Sequence, residues 1–473
     1  MYMKGQSKKN SIARLCDKTM TFSECEMAIL RNAVDESEKK QSGKMANSDD
    51  VIHMIQILED FIRKKKCVCY GGTAINNILP EHAQFYNREI EVPDYDFFTP
   101  NAIEHAKELA DIYSKAGFKE VEAKAGIHYG TFKVFVNFIH IADITYMNPT
   151  IFKFISDDSV KINNILYAPP NFLRMGMYLE LSRPNGDVSR WEKVLKRLIL
   201  LNKYYPIRIK KCNYSVSMPS KSDLYYTTRD TLIDQGVVFF GGYALKFFNK
   251  HVDRDAKVDI SDFDVLSENP YKCANILADK LKELNYKNVD IVLHSAIEEI
   301  VPEHAEVKVG SESVAFIYKP IACHNYNVVS IQDKEIKIAT IDAMLSFYLA
   351  FYYSNETHLS KDRILCMANF LFFIEQKTRL KRNDVLKRFT MDCIGKQPTL
   401  ESIRSNKMNK YKELKEKRGT HEYDMWFLQY NPNKAKPKTG SKTRKSRVKE
   451  PIMESKSESK SKSKSDPKSE YLF

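Results

Sequence analysis

No apolar run in these 473 residues reaches the roughly 18–20 that a membrane-spanning helix requires. The longest candidates, Ile341–Tyr353 and Leu365–Ile374, fit buried helices better. No apolar stretch follows the lysines of Met1–Asn10, so no secretion signal is expected. A paired-cysteine framework is missing too: the nine cysteines are odd in number and form no CxxC pairs. Cys67 and Cys69 flank Val68 in a stretch that reads as a buried strand and not as a metal site, and the cysteine usage as a whole is expected to reflect a reducing compartment. None of the eleven histidines shows metal-ligand spacing.

Charge is plentiful but unevenly placed. The formal net charge is +13, and thirteen Lys/Arg against five Asp/Glu between Asn431 and Phe473 account for +8 of it. That Lys/Ser-rich tail, residues 431–473, has no periodic apolar positions and is expected to be disordered. A basic excess suits a polyanionic partner. The hydrophobic share of 43% is ordinary for a globular chain, and the length allows two or three domains.

Residues 1–45 read as a polar arm or a peripheral helix. Folded structure begins at Asn47-Ser48-Asp49-Asp50, a cluster of helix N-cap residues. Val51, Met54, Ile55, Leu58, Phe61 and Ile62 follow at helical spacing, and Lys64–Lys66 suit the helix C-terminus. A strand at Cys67–Tyr70, then Gly71-Gly72, a helix, a second helix at Ala102–Ala116 and an apolar stretch at Phe132–Ile144 come next. The alternation predicts an α/β domain over 46–210, a mixed sheet flanked by helices. The pattern then recurs as Val237–Phe240, Gly241-Gly242, a helix from Tyr243, and Asp262-Phe263-Asp264. Gly72 and Asp94 are 22 residues apart, Gly242 and Asp262 are 20 apart, so a tandem copy is expected over 211–430, closing with C-terminal helices.

Asp94 and Asp96 are separated by one residue, which on a strand points both carboxylates to one face. Two carboxylates held together repel unless a cation lies between them, and Mg²⁺ or Mn²⁺ also binds phosphate oxygens. Asp143 interrupts the apolar run Phe138–Ile144, where a lone charge is costly unless it faces the same cations. Gly71-Gly72 before a helix lets a phosphate chain approach the backbone and the helix N-terminus, and Thr73 offers a hydroxyl donor there. A Gly-Gly alone is as easily a tight turn, and a DxD alone a solvated pair; the ordered combination carries the reading.

The runs YGGTAINNILP, VPDYDFF and IHIADITYMN resemble the nucleotidyltransferase fold of the polymerase-β superfamily. With LELSRPNGDVSRWEKVLKRL, the chain resembles more narrowly the poly(A) polymerase catalytic subunit of large nucleocytoplasmic DNA viruses, the poxvirus and giant-virus type. The likeness spans roughly residues 50–350. It implies ATP-binding, RNA-binding and template-independent addition of AMP to mRNA 3′ ends, a polyadenylation step of mRNA processing. Two magnesium or manganese ions would be held by Asp94, Asp96 and Asp143, the matching catalytic carboxylates, with Gly71 and Gly72 as nucleotide-loop glycines. It further implies a homodimer or a processivity partner, and a place in the host cytoplasm (viral factory) or the virion.

Pro184-Asn185-Gly186-Asp187 caps a helix from Val188 to about Lys203. Its Trp191, Val194, Leu195 and Leu198 form an apolar stripe, and Arg190, Lys193 and Arg197 a basic one that reads as a solvated face or, with Arg183, as a phosphate contact. In the tandem copy Phe316 aligns with Asp143, while Glu306 and Glu312 lie nearby, so that copy is expected to be degenerate. His140, two residues before Ala142, is expected to face away from Asp143. Two other readings stay open: an acceptor such as a tRNA end or a small molecule, and an RNA-binding scaffold with relic motifs.

Overall fold

The structure, a computed structural model, describes residue 16 and residues 19–87, 91–209, 223–249, 262–297, 300–331, 333–354, 360–377 and 386–434. The expected disordered tail, beyond Lys434, lies outside the described residues. The arm ends in helix α1 (Phe22–Ala46). Helix α2 (Asp49–Lys65) starts where the N-cap cluster predicts, with the Ser48 side chain accepting from the Val51 amide. Its Val51, Met54, Leu58, Phe61 and Ile62 are buried.

The first sheet follows. Strand β1 (Val68–Tyr70) leads through the glycines into α3 (Gly71–Ile78), then come β2 (Tyr95–Thr99), α4 (Ala102–Lys115), β3 (Val121–Ala125), β4 (Thr131–Val136) and β5 (Ile139–Tyr146). After α5 (Pro149–Asp157), the hairpin β6 (Val160–Ile162) and β7 (Ile165–Tyr167) closes the far edge, followed by α6 (Pro170–Leu181) and α7 (Trp191–Tyr204). The second unit repeats this plan. It runs α8 (Asp223–Asp234), β8 (Val238–Phe240), α9 (Gly241–Asn249), β9 (Phe263–Leu266), α10 (Pro270–Glu283), β10 (Val289–His294), β11 (His304–Val309), β12 (Glu312–Tyr318), β13 (His324–Ile331) and β14 (Lys334–Ala339).

Strand order establishes the duplication. The first sheet reads β3-β4-β5-β2-β1-β7-β6 and the second β10-β11-β12-β9-β8-β14-β13, with the same parallel and antiparallel joins at each step. Each sheet gains one short extra edge strand, and both come from the C-terminal segment. After α11 (Ile341–Tyr353) and α12 (Lys361–Lys377), β15 (Cys393–Ile394) pairs with β13 of the second sheet. The chain then crosses back through α13 (Leu400–Leu414) and α14 (His421–Phe427) to β16 (Gln429–Tyr430), which pairs with β3 of the first sheet. Residues 386–434 thus form a strap across both units, although the sequence groups its helices with the second.

The units also meet through α11, which is buried along nearly its whole length and lies on α6. Here the Arg388 guanidinium donates to both oxygens of Asp342 at 2.7 and 2.8 Å and lies 2.8 Å from Glu375, which accepts from the Tyr178 hydroxyl at 2.5 Å.

The cysteines correct one expectation. Cys67, Cys69 and Cys273 are free and buried, but Cys16–Cys25 and Cys323–Cys393 are disulfide-bonded. The second pair is 70 residues apart in sequence and is brought together by the β13–β15 pairing, which spacing alone could not reveal.

His324, fully buried at the start of β13, gives the fold a pH dependence. Burial, helped by the nearby Arg183 charge, lowers its pKa to about 3. The unfolded chain takes up this proton near 6.5, so stability should be lost progressively as pH falls from about 6.5 toward 3, by an amount on the order of 4 kcal/mol. Thermal melts of His324→Phe beside the unchanged chain should show a shallower acid decline; parallel curves would remove His324 as the cause.

Candidate active site

Three segments converge at the C-terminal end of β1. Tyr70 ends the strand, Gly71 takes φ of +72°, and α3 begins at once. A side chain at Gly71 would place its Cβ 2.4 Å from Oδ2 of Asp96, so glycine is required by both conformation and space. The second unit repeats the constraint, with Gly241 at φ +66° and its notional Cβ 2.0 Å from Asp264.

Asp96 and Asp143 lie directly opposite each other on the parallel strands β2 and β5, both nearly fully buried. Asp94 immediately precedes β2, half exposed, and its backbone carbonyl accepts from the Thr73 hydroxyl at 2.5 Å. Thr73 therefore fixes the aspartate loop, whereas the sequence suggested a donor toward phosphate. Tyr70 closes the floor: its hydroxyl is 2.9 Å from that of Thr145, and burial together with the neighbouring Asp96 carboxylate raises its pKa well above the usual phenol value.

His140 is the clearest correction. Its Nε2 lies 2.8 Å from Asp143 Oδ1 and its Nδ1 3.4 Å from Asp94 Oδ1. The cause is a β-bulge: Val134 pairs with Ala142 but Phe135 pairs with His140, leaving Ile141 unmatched. One extra residue reverses the alternation and turns His140 onto the face of Asp143. Burial disfavours its proton, but hydrogen bonds to Asp143 and Asp94 outweigh that and raise its pKa to about 9. Lys133, across from Asp143 on β4, adds a second cation at 2.9 Å.

The basic stripe divides. Arg197 is buried and donates to the Tyr86 hydroxyl at 2.5 Å, its guanidinium lying over the Phe85 and Tyr86 rings at 5.0 and 5.5 Å. A Cβ on Gly72 would sit 3.1 Å from that guanidinium, so the charge rests against the glycine loop. Arg183 and Arg190 line the same cleft, Arg183 donating to the Leu179 carbonyl at 3.2 Å and Arg190 lying 3.3 Å from Glu180. Lys193 is exposed and is not among the cleft-lining residues. The cleft, about 1080 Å³, runs from Gly71, Gly72 and Asp96 to Lys319 and Pro320 of the second unit and to Gln397–Leu400 of the strap.

In the second sheet, Phe316 stands opposite Asp264 as Asp143 stands opposite Asp96. The bulge is conserved in form, with Val314 left unmatched and Ser313 in the place of His140. Glu306 pairs with Phe316, so it occupies the Lys133 position and not that of the third acid. Burial pushes its carboxyl up, but hydrogen bonds from Ser313 and His294 outweigh this and hold it below the usual range. Glu312 opens β12 in an exposed position.

Residues 56–187 match the family model of the poly(A) polymerase catalytic subunit. The first unit resembles that family in sequence. A protein assigned as the poly(A) polymerase catalytic subunit of African swine fever virus (strain Badajoz 1971 Vero-adapted) is 38% identical over 170 residues, 35% of each chain. The counterpart of Acanthamoeba polyphaga mimivirus is 26% identical over 271 residues, 54% of this chain and 46% of the other. The matches thus span about a third to a half of these relatives. The crystal structure of the Megavirus polyadenylate synthase superposes with a TM-score of 0.72 at 20% identity, covering 88% of this chain and 87% of that one. That superposition shows a fold shared over most of the chain.

The donor set fits hard divalent cations. Asp94, Asp96 and Asp143 offer carboxylate oxygens only, two of them in strand register. Among the described residues no group of three or more such side chains is gathered at metal-binding distance. Lys133 and His140 meanwhile sit on the two oxygens of Asp143.

Proposed function

We propose that the chain is a template-independent polynucleotide adenylyltransferase, a poly(A) polymerase that adds AMP from ATP to RNA 3′ ends. The observation that carries the reading is the opposition of Asp96 and Asp143 beside a glycine loop that Arg197 faces. Divalent cations held by Asp94, Asp96 and Asp143 would supply Lewis-acid charge to the attacking hydroxyl and the triphosphate. The protein's own residues position: Gly71 and Gly72 let phosphates approach the backbone, and Arg197 sets a fixed cation there. Thr73 holds the Asp94 loop, and His140 and Lys133 offset the charge of Asp143. In the second unit, Phe316 in place of the third acid supports a supporting role for that copy.

Offering each of the four nucleoside triphosphates with an RNA primer, a tRNA or no acceptor tests this. Long product ladders with ATP and the primer are expected. Single or triple additions, or transfer only to tRNA or a small molecule, would overturn the proposal.

Arg197 yields a sharper expectation. Arg197→Ala should raise the KM for ATP about tenfold or more, the scale of a charge-assisted hydrogen bond, and leave the KM for primer little changed. Arg197→Lys should recover only part, because an ammonium reproduces neither the planar fork nor the ring contact. Equal changes in both KM values would place Arg197 elsewhere.

A further inference from the structure

The cleft has one wall that the proposed nucleotide transfer leaves unused. Tyr129 lies in the turn between β3 and β4, and Trp426 lies near the end of α14. They are 297 residues apart in sequence, yet their ring centroids lie 4.8 Å apart with an interplanar angle of 47°, and both line the cleft that holds Gly71 and Asp96. Tyr129 is 50% exposed and Trp426 is half-buried, so the pair stands at the solvent edge of the cleft. The backbone fixes both sides. Gly130 donates to the Met425 carbonyl, Ala125 donates to the Leu428 carbonyl at 2.8 Å, and β16 zips onto β3 beside them. Lys107 ties α4 to Asp424 of α14 at 2.7 Å, and Lys407 reaches from α13 to the Gly126 carbonyl.

The surroundings select the occupant. The cleft is lined by Arg183, Arg190, Arg197 and Lys319, and residues 396–418 of the strap, whose charged side chains lie outside that lining, carry eight Lys/Arg against three Asp/Glu, so an anion is favoured in this neighbourhood. A chain that pairs a charged backbone with flat apolar faces suits rigid aromatic rings set among cations, and a single nucleic-acid strand is such a chain.

We propose that Tyr129 and Trp426 form a stacking platform for bases of the single-stranded acceptor near its 3′ end. This rests on RNA being the acceptor. The platform holds the strand through ring faces and is tolerant of sequence, and it leaves ATP to the glycine loop and Arg197.

The full-length protein with a fluorescent or radiolabelled oligo(A) primer provides the test. Tyr129→Ala and Trp426→Ala should each raise the primer KM about five- to a hundredfold, the range of one lost base stack, and leave the ATP KM within twofold. Tyr129→Phe and Trp426→Phe should retain primer affinity. The chain has two tryptophans, and Trp191 is tied to the Glu180 carbonyl at 3.0 Å. Oligo(A) should therefore quench tryptophan emission in Trp191→Phe but not in Trp426→Phe. Unchanged primer KM in both alanine variants of an active enzyme overturns the platform alone. Loss of ATP and primer affinity together in both also overturns it, by exposing a structural role. An unmodified chain that binds no oligo(A) overturns the acceptor reading and the platform with it.

Discussion

Asp96→Asn combined with Asp143→Asn should reduce AMP transfer by at least about a thousandfold, because several kcal/mol of charge stabilisation would be removed at once. The exchange is close to isosteric, and the two residues face each other across β2 and β5, so the sheet keeps its shape. Single-turnover extension of a labelled primer measures the loss, and circular dichroism checks the fold. Asp262→Ala with Asp264→Ala in the second unit should leave most of the activity, since Phe316 stands where a third acid would be needed. A first-unit double variant that retains a tenth of the rate would remove the carboxylates from the centre of the mechanism. Loss of activity from the second pair alone would move the active site.

The largest effect on stability is expected at Arg388. Its guanidinium is shared by Asp342, fully buried on α11, and Glu375 on α12. Burial works against its charge, but the two carboxylates outweigh that and raise its pKa. Arg388→Met keeps the bulk and removes the charge, leaving two acids without their counter-ion in an apolar setting. The expected cost is about 3–5 kcal/mol of unfolding free energy, measured as a shift in the denaturation midpoint. Adding Asp342→Asn should recover part of it, because one uncompensated charge is then gone. A loss under about 1 kcal/mol would show that solvent reaches the cluster and screens it. Arg388 belongs to the strap and its partners to the helices joining the units, so the variant should also slacken the cleft.

What was legible in the sequence had a period or a fixed spacing. The N-cap cluster at Ser48, the strand–Gly-Gly–helix order, the DxD and the tandem copy were all read from local pattern. So was the alignment of Phe316 with Asp143, which the strand register reproduces. His140 was misread because alternation assumes an unbroken ladder, and the bulge at Ile141 inserts one residue that no local pattern announces. The strap was missed for a different reason: β15 and β16 are two residues each, too short to show alternation, and they exist only through their partners. Trp426 and Tyr129 carried no signal either, since each looks like an ordinary aromatic until the strap brings them together. Arg197 lay within a recognised basic stripe, but its selection over Lys193 came from three-dimensional proximity to Gly72.

The strap also sets an order of assembly. On the ribosome, every acid of the proposed centre has been made once β5 is complete, and the first sheet can form with an open edge at β3. The far wall of the cleft and the last strand on that edge come from residues some 250 to 280 positions later, β16 being made after every strand of the second sheet. A nascent first domain therefore carries its carboxylates and glycine loop without the surface that would hold a strand against them. It also exposes an unpaired edge that another chain could occupy before β16 arrives. Synthesis of the strap, more than that of the proposed catalytic residues, is what completes the cleft.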